Sequence, residues 1–321
     1  MEITLKKNWT RSSKIMCNIA YMKKIIILPN TSKEMITLYH NGLSIKKIAK
    51  NFDFSRNTIQ RHFKQNKVSI RNQSEVNRKY TINDKFFEEI DTPIKAQVLG
   101  LIAADGYNSQ DKGTIEITLN EKDYVYLEKI RLTLNSGKPL KFFDYNLLNN
   151  ENKFTNYYKY WRLTIYNKKI SNDLIKYGII QNKSSCLRPP NNIPEYIEKF
   201  FVLGLFDGDG GISVTYRGSC FSPQIMFCGT KEMCFYVKNI IKRETGFDMT
   251  ITDKTKQSKN HFSISSGGAF KNFKILEWLY KDAPIIMERK YEKFLIIKEY
   301  FQKSKTCQTK EKKYLSKISL P

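Results

Sequence analysis

The stretch KAQVLGLIAADGY at 95–107 returns 104 residues later (209 − 105 = 104) as KFFVLGLFDGDGG at 199–211. In each copy an apolar run at helical spacing ends in Asp-Gly. Gly100 and Ala104 lie four apart, hence on one face of a helix, and Gly204 and Gly208 repeat that spacing. A glycine inside a helix costs about 1 kcal/mol relative to alanine, so it needs a packing reason. Close approach of two helix backbones supplies one. The shared pattern predicts that the two helices pack on each other through Gly100, Ala104, Gly204 and Gly208.

The ends of these helices carry a second message. Asp105 and Asp209 fall in the last turn, where the helix macrodipole already concentrates negative charge. Packing the helices side by side brings the two carboxylates together as well. Their oxygens, with the backbone carbonyls of Ala104 and Gly208, then suit a hard cation such as Mg²⁺ or Ca²⁺. A lone Asp-Gly is ordinarily a turn, but two matched copies at equivalent helix ends ask for more. Gly106 and Gly210 are expected to take the left-handed cap conformation.

The segments after each copy also correspond. TIEITLN at 114–120 reads as a strand and 123–134 as a helix; QIMFCGT at 224–230 and 231–243 repeat that order. Two further strand-like runs come next in each half, KPLKFFDY and YWRLTIY in the first, MTITD and HFSIS in the second. Amphipathic helices over 169–177 and 270–280 close the halves. The expected fold is therefore α+β: two pseudo-symmetric αββαββα units, 86–190 and 191–304, with antiparallel sheets. A repeat present twice points to pseudo-two-fold pairing rather than a solenoid.

Composition narrows the partners. Lys and Arg number 55 against 31 acids, a net charge of +24, which favours a polyanion such as nucleic acid. Six scattered cysteines without a C-x-x-C pair, and three histidines, argue against a zinc finger or a zinc hydrolase. The cysteines read as reduced core residues. No apolar run reaches membrane-spanning length, and the basic first two dozen residues lack a secretion signal's apolar core. The expected location is the cytoplasm of a bacterium, with a phage origin included, or an organelle, since abundant Lys, Asn, Ile and Tyr suggest an AT-rich genome.

Before the repeat lies a basic extension (1–30) and then SIKKIAKNFDFSRNTIQRHFK at 44–64, which resembles a resolvase-like helix-turn-helix. Ile45, Ile48, Ala49, Ile59 and Phe63 carry its core spacing, and Ser55 is a good N-cap for the second helix. Asp53 stands at the turn position where such motifs often hold glycine. The module is bounded at 31–66. Arg56, Asn57, Gln60, Arg61 and Lys64 are its candidate DNA contacts. A basic linker over 67–85, including Arg71, is suited to following a phosphate backbone, and residues 305–321 read as a basic tail.

The doubled LGLIAADG and LGLFDGDG segments resemble the LAGLIDADG signature of homing endonucleases, over about residues 86–300. The signature's last acid falls on Asp105 and Asp209; its earlier acid is Asp207 in the second copy but Ala103 in the first, and is peripheral to catalysis. The resemblance implies Mg²⁺, with Mn²⁺ as substitute, held at two scissile phosphates. It also implies a lysine beside each metal. Lys183 follows Asp105 by 78 residues (183 − 105 = 78) and Lys290 follows Asp209 by 81 (290 − 209 = 81), with Arg289 competing for the second role. On the family's pattern the sheets form a saddle on double-stranded DNA, for which Lys141, Tyr145, Lys159, Arg162, Arg217, Gln224 and Lys254 are outward candidates.

The expected activity is site-specific double-strand cleavage by a monomer at a long, largely asymmetric site. An RNA maturase on the same scaffold is one alternative and need not keep both acids. A transcription regulator is the other, and leaves the paired aspartates without a purpose. An intein is disfavoured by the lack of a splice-junction Cys or Ser at the start and of His-Asn at the end.

Overall fold

A computed structural model describes residues 27–70, 79–148, 155–217 and 220–318 of the chain. The chain divides into two units, one ending at Lys79 and one beginning at Tyr80. Arg71, and the side chains of Tyr145 and Arg217, lie outside the described residues.

Among the described residues the first unit holds three helices, α1 (Pro29–His40), α2 (Ile45–Asn51) and α3 (Arg56–Gln65). Proline opens α1, where its missing N–H costs nothing and its fixed φ suits a first turn. Ser44 and Ser55 cap α2 and α3, accepting from the amides of Lys47 and Thr58 at 3.3 and 3.1 Å. Met35, Tyr39, Ile45, Ile48, Ala49, Ile59 and Phe63 make one buried core. Asp53, in the turn between α2 and α3, has φ 54°, so the position does require the left-handed conformation that glycine would adopt freely.

The second unit is the doubled α+β fold. Its first half runs α4 (Pro93–Asp105), β1 (Gly106–Ser109), β2 (Thr114–Asn120), α5 (Tyr124–Thr133), β3 (Lys141–Leu148), β4 (Thr155–Tyr166) and α6 (Lys168–Lys176). The second half runs α7 (Glu195–Asp209), β5 (Gly210–Ser213), β6 (Tyr216–Arg217), β7 (Cys220–Phe221), β8 (Gln224–Gly229), α8 (Lys231–Thr245), β9 (Thr250–Asp253), β10 (Phe262–Gly267) and α9 (Ala269–Tyr280). The sheets have equivalent antiparallel orders, β1-β2-β4-β3 and β5-β8-β10-β9. Alternation sets their faces: Ile115, Ile117, Leu119, Leu163 and Ile165 turn inward onto the core that also buries Leu127, Ile130 and Leu174.

The helix pair α4 and α7 runs through the centre of this core, with Ala96–Ala103 and Phe200–Asp207 all buried. That explains why the two segments are apolar on every side. A Cβ built on Gly100 would lie 2.9 Å from the Leu205 nitrogen, and one on Gly204 2.7 Å from the Leu101 nitrogen. At Gly208 the added atom would come within 3.0 Å of Asp105 Oδ2 and would strike the Ala104 methyl. The small residues are thus the contact itself.

Four expectations need correction. Gly106 and Gly210 are extended, with φ −85° and −87°, rather than left-handed. A side chain is barred there by crowding against Ile102 and Phe206 of the preceding turn. Among the described residues, the β6–β7 hairpin is inserted in the second half and has no counterpart in the first. Residues 305–318 are no tail but a helix, α11 (Lys305–Ile318), following α10 (Glu288–Lys303). Cys307 is buried, Tyr314 stacks on Phe247 at 5.1 Å, and its hydroxyl donates to the Thr245 carbonyl at 2.8 Å. Finally, residues 80–85 of the linker pack on the first half, where the Asn83 amide donates to the Leu134 carbonyl and the Gly137 amide to that of Thr81, both at 3.0 Å.

Candidate active site

Asp105 and Asp209 end α4 and α7, and close packing of the helices carries both carboxylates to one spot. Each keeps an exposed surface while densely packed protein surrounds it. Burial raises both carboxyls above the usual range, Asp209 to about 6, where the Asp105 charge adds to the effect. A bound cation relieves that cost directly.

The lysines form a matched pair. Lys183 opens the 3₁₀ turn Lys183–Ser185, and its Nζ donates to the carbonyls of Gly106 and, at 3.4 Å, Ala104. Lys290, in the first turn of α10, donates to the carbonyls of Gly210 at 2.6 Å and Gly208 at 3.3 Å. These acceptors are 104 residues apart in both cases (210 − 106 and 208 − 104). Lys290 also reaches the carbonyls of Phe206 and Asp207, both at 2.6 Å. Each ammonium neutralises a helix C-terminus. Both are buried, 7% and 3% exposed, and burial lowers both pKa values, that of Lys290 to about 8. Arg289 points elsewhere: its Nε donates to Asp123 at 2.8 and 2.9 Å.

A cleft of about 280 Å³ opens beside Asp209, lined by Lys183, Ser185, Cys228, Asn260 and His261 among others. So Lys183, from the first half, borders the acid of the second. Among the described residues no three His, Cys, Asp or Glu side chains converge to hold a metal. Two carboxylates are nonetheless what a Mg²⁺ site of this kind needs from protein side chains, since Mg²⁺ keeps several waters and takes phosphate oxygens from its substrate. The donor chemistry fits. The Ala104 and Gly208 carbonyls are each shared with a lysine, through that lysine's longest contact.

The remaining candidates separate by face. Lys141 and Arg162 are paired across β3 and β4 on the outward face, both over the Phe143 ring at 4.7 and 4.8 Å. Arg162 also meets Glu116 at 3.3 Å. Lys159 lies 3.7 Å from Asp144. The equivalent face of the second sheet carries short hydroxyl and amide groups, Ser213, Gln224, Thr250, Thr252 and Ser265, with Lys254 Nζ resting 3.9 Å from Met226 Sδ. In the first unit Arg56, Asn57, Arg61 and Lys64 are exposed on α3, and Gln60 is half-buried. Sequence reasoning passed over Gln97, Asp123, Thr230 and Asn260, which hold the segments that carry Lys183 and Lys290. Gln97 left a signal, as a polar residue in an apolar helix.

Residues 26–66 match the family model for the helix-turn-helix domain of resolvase. No curated protein matches the chain. Among solved structures, the chain is similar to the homing endonuclease I-WcaI bound to its DNA recognition sequence, at 15% identity over 71% of this chain and 96% of that one, TM-score 0.47. It is also similar to the meganuclease I-SmaMI bound to uncleaveable DNA with a TTCT central four, at 11% identity over 70% and 98%, TM-score 0.43. A third is the I-LtrWI LAGLIDADG homing endonuclease bound to target DNA, at 12% identity over 74% and 99%, TM-score 0.43.

Proposed function

We propose that the chain is a site-specific DNA endonuclease of the LAGLIDADG homing type, which hydrolyses one phosphodiester bond on each strand of a duplex. The observation that carries this reading is the doubled centre: two aspartates at the tips of one packed helix pair, each helix end capped by a buried lysine at equivalent carbonyls. Two centres on one chain let a single copy cut both strands.

Asp105 and Asp209 would hold Mg²⁺, or Mn²⁺ in its place, with the Ala104 and Gly208 carbonyls beside them. The chemistry such an ion supplies is activation of a water and stabilisation of charge on the attacking and leaving oxygens. Lys183 and Lys290 stabilise negative charge developing on phosphate, from positions their backbone contacts fix in advance.

Binding is divided among surfaces of different chemistry. Lys141 and Arg162, set among aromatic rings, suit phosphates and purine edges; the hydroxyl-rich second sheet suits closer contact with base edges. The N-termini of such recognition helices enter the major groove, which is the role given to α3 with Arg56, Asn57, Gln60, Arg61 and Lys64.

The test is a cleavage assay on a duplex joining the sequences that flank this gene's insertion point, in Mg²⁺ and in a chelator. Cutting of both strands only with the metal supports the reading. An intact duplex under both conditions contradicts it.

A further inference from the structure

The two lysine-bearing segments are each held by the opposite half of the second unit. The segment after Lys183 receives two hydrogen bonds from the second half: Thr230 Oγ1 donates to the Leu187 carbonyl at 2.7 Å, and Asn260 Nδ2 to that of Ser185 at 3.1 Å. The segment before and at Lys290 is held by the first half. Gln97 brackets Ile285, its Nε2 donating to the carbonyl at 2.7 Å and its Oε1 accepting from the amide at 3.1 Å. Asp123, its side chain 2% exposed, accepts from Arg289, the residue adjoining Lys290.

These bonds arise at the same place in each half, the start of the helix after the sheet's second strand, though not at equivalent residues: the strand registers make Asn120, not Asp123, the counterpart of Thr230. Thr230 is the N-cap of α8 and Asp123 the N-cap of α5, the corresponding helix of the other half. The two N-caps reach across by different chemistry, a hydroxyl onto a carbonyl in one case and a carboxylate onto a guanidinium in the other. Thr230 also performs its local duty, accepting from the Met233 amide at 3.2 Å, whereas Asp123 makes no cap bond and is free to serve Arg289. A buried carboxylate turned away from its own helix needs another purpose.

We infer that the N-caps Asp123 and Thr230 are positioning residues, each holding the lysine of the opposite half at its helix end, so that each half governs one strand cut through the other. The lining of the cleft agrees: Lys183 and Thr230 border it together with Asp209. This rests on the nuclease reading for its strand-cutting consequence, though not for the clamps themselves.

Two measurements test it. In the free protein, lysine amines are labelled with a small acylating reagent and read by mass spectrometry. Thr230→Val should raise labelling of Lys183 about threefold or more and leave Lys290 unchanged, and Asp123→Asn should do the reverse, because loosening a local clamp exposes only what it holds. Cleavage of an end-labelled duplex is then resolved strand by strand. Each variant should slow one strand about tenfold, the two variants affecting opposite strands, since small misplacements of a reacting group are costly. Thr230→Ser should restore both readouts. If either variant does not fold, Asn260→Gly and Arg289→Met break the same clamps from other residues. Unchanged labelling, or equal slowing of both strands, overturns the inference. Shifted labelling in a protein that cuts no duplex leaves the clamps standing and sinks the nuclease reading instead.

Discussion

Gln97 on α4 donates a 3.0 Å hydrogen bond to the carboxylate of Asp207 on α7. The Tyr126 hydroxyl donates to the same oxygen at 2.6 Å. Asp207 has no exposed surface, burial raises its carboxyl to about 6, and its other oxygen has no partner among the described residues. The acid that the sequence marks as peripheral to catalysis is a polar tie across the helix pair. Replacing it with alanine, the residue at the equivalent Ala103, leaves the buried Tyr126 hydroxyl without its acceptor. The expected loss is about 2 kcal/mol, seen as a lower urea midpoint at unchanged slope. An unmoved midpoint would contradict the tie.

Gly100 and Gly204 set the separation of the helices. Gly100→Ala places a methyl group against the backbone of Phe201 and Leu205, which is not free to yield. The expected cost is about 3 kcal/mol or more, with loss of a cooperative melt as the extreme outcome. Gly211→Ala is the control, because nothing lies within 4 Å of the added atom. Equal stability of the two variants, by thermal or urea denaturation, would rule out the close helix contact.

Asp173 on α6 supplies a pH-dependent contribution away from the candidate site. Burial pushes its carboxyl up, but bonds from Lys169 at 2.8 Å and Lys176 at 2.6 Å outweigh this, and the net shift is downward. A lowered carboxyl stabilises the fold at pH values above its ordinary range and ceases to do so as acid titrates it. Asp173→Asn should therefore cost about 1 kcal/mol at pH 7. The gap between variant and wild type should close as pH falls below the normal aspartate value of 3.8. A gap that persists or widens in acid would show the sign to be wrong.

The helix-turn-helix is expected to contribute affinity through phosphates. Lys64, exposed near the end of α3, carries one of those charges. Lys64→Ala should weaken binding to all sequences alike and reduce the slope of log K against log salt by about 1. Fluorescence anisotropy over a salt series measures this, and an unaltered slope would remove Lys64 from the phosphate contacts.

The sequence exposed the repeat because helix packing needs small residues at a fixed spacing, and Gly100 and Gly204 satisfy it visibly. Strand alternation was equally direct in TIEITLN, whose bounds match β2. What stayed hidden depended on distant partners. Lys290 and Arg289 are neighbours in sequence, and only Asp123, 166 residues away, separates their roles by engaging the arginine. Gly106 and Gly210 suit either a left-handed cap or a crowded extended turn, so identity alone did not decide. Helix α11 read as a tail because its apolar contacts are few, Cys307 and Tyr314 chief among them, and their partners lie on other elements. Thr230 stood at the end of a strand reading and Asn260 drew no notice, because their partners Leu187 and Ser185 are 43 and 75 residues away.

The central claim is that the tips of α4 and α7 form a metal-dependent cutting centre. Strand-resolved cleavage in Mg²⁺ by Asp105→Asn and Asp209→Asn, alongside target affinity, tests it most directly. The account predicts that each substitution abolishes double-strand cutting, lowering the rate by about two orders of magnitude or more, while target binding stays nearly intact. Either variant cutting both strands at the wild-type rate would contradict it.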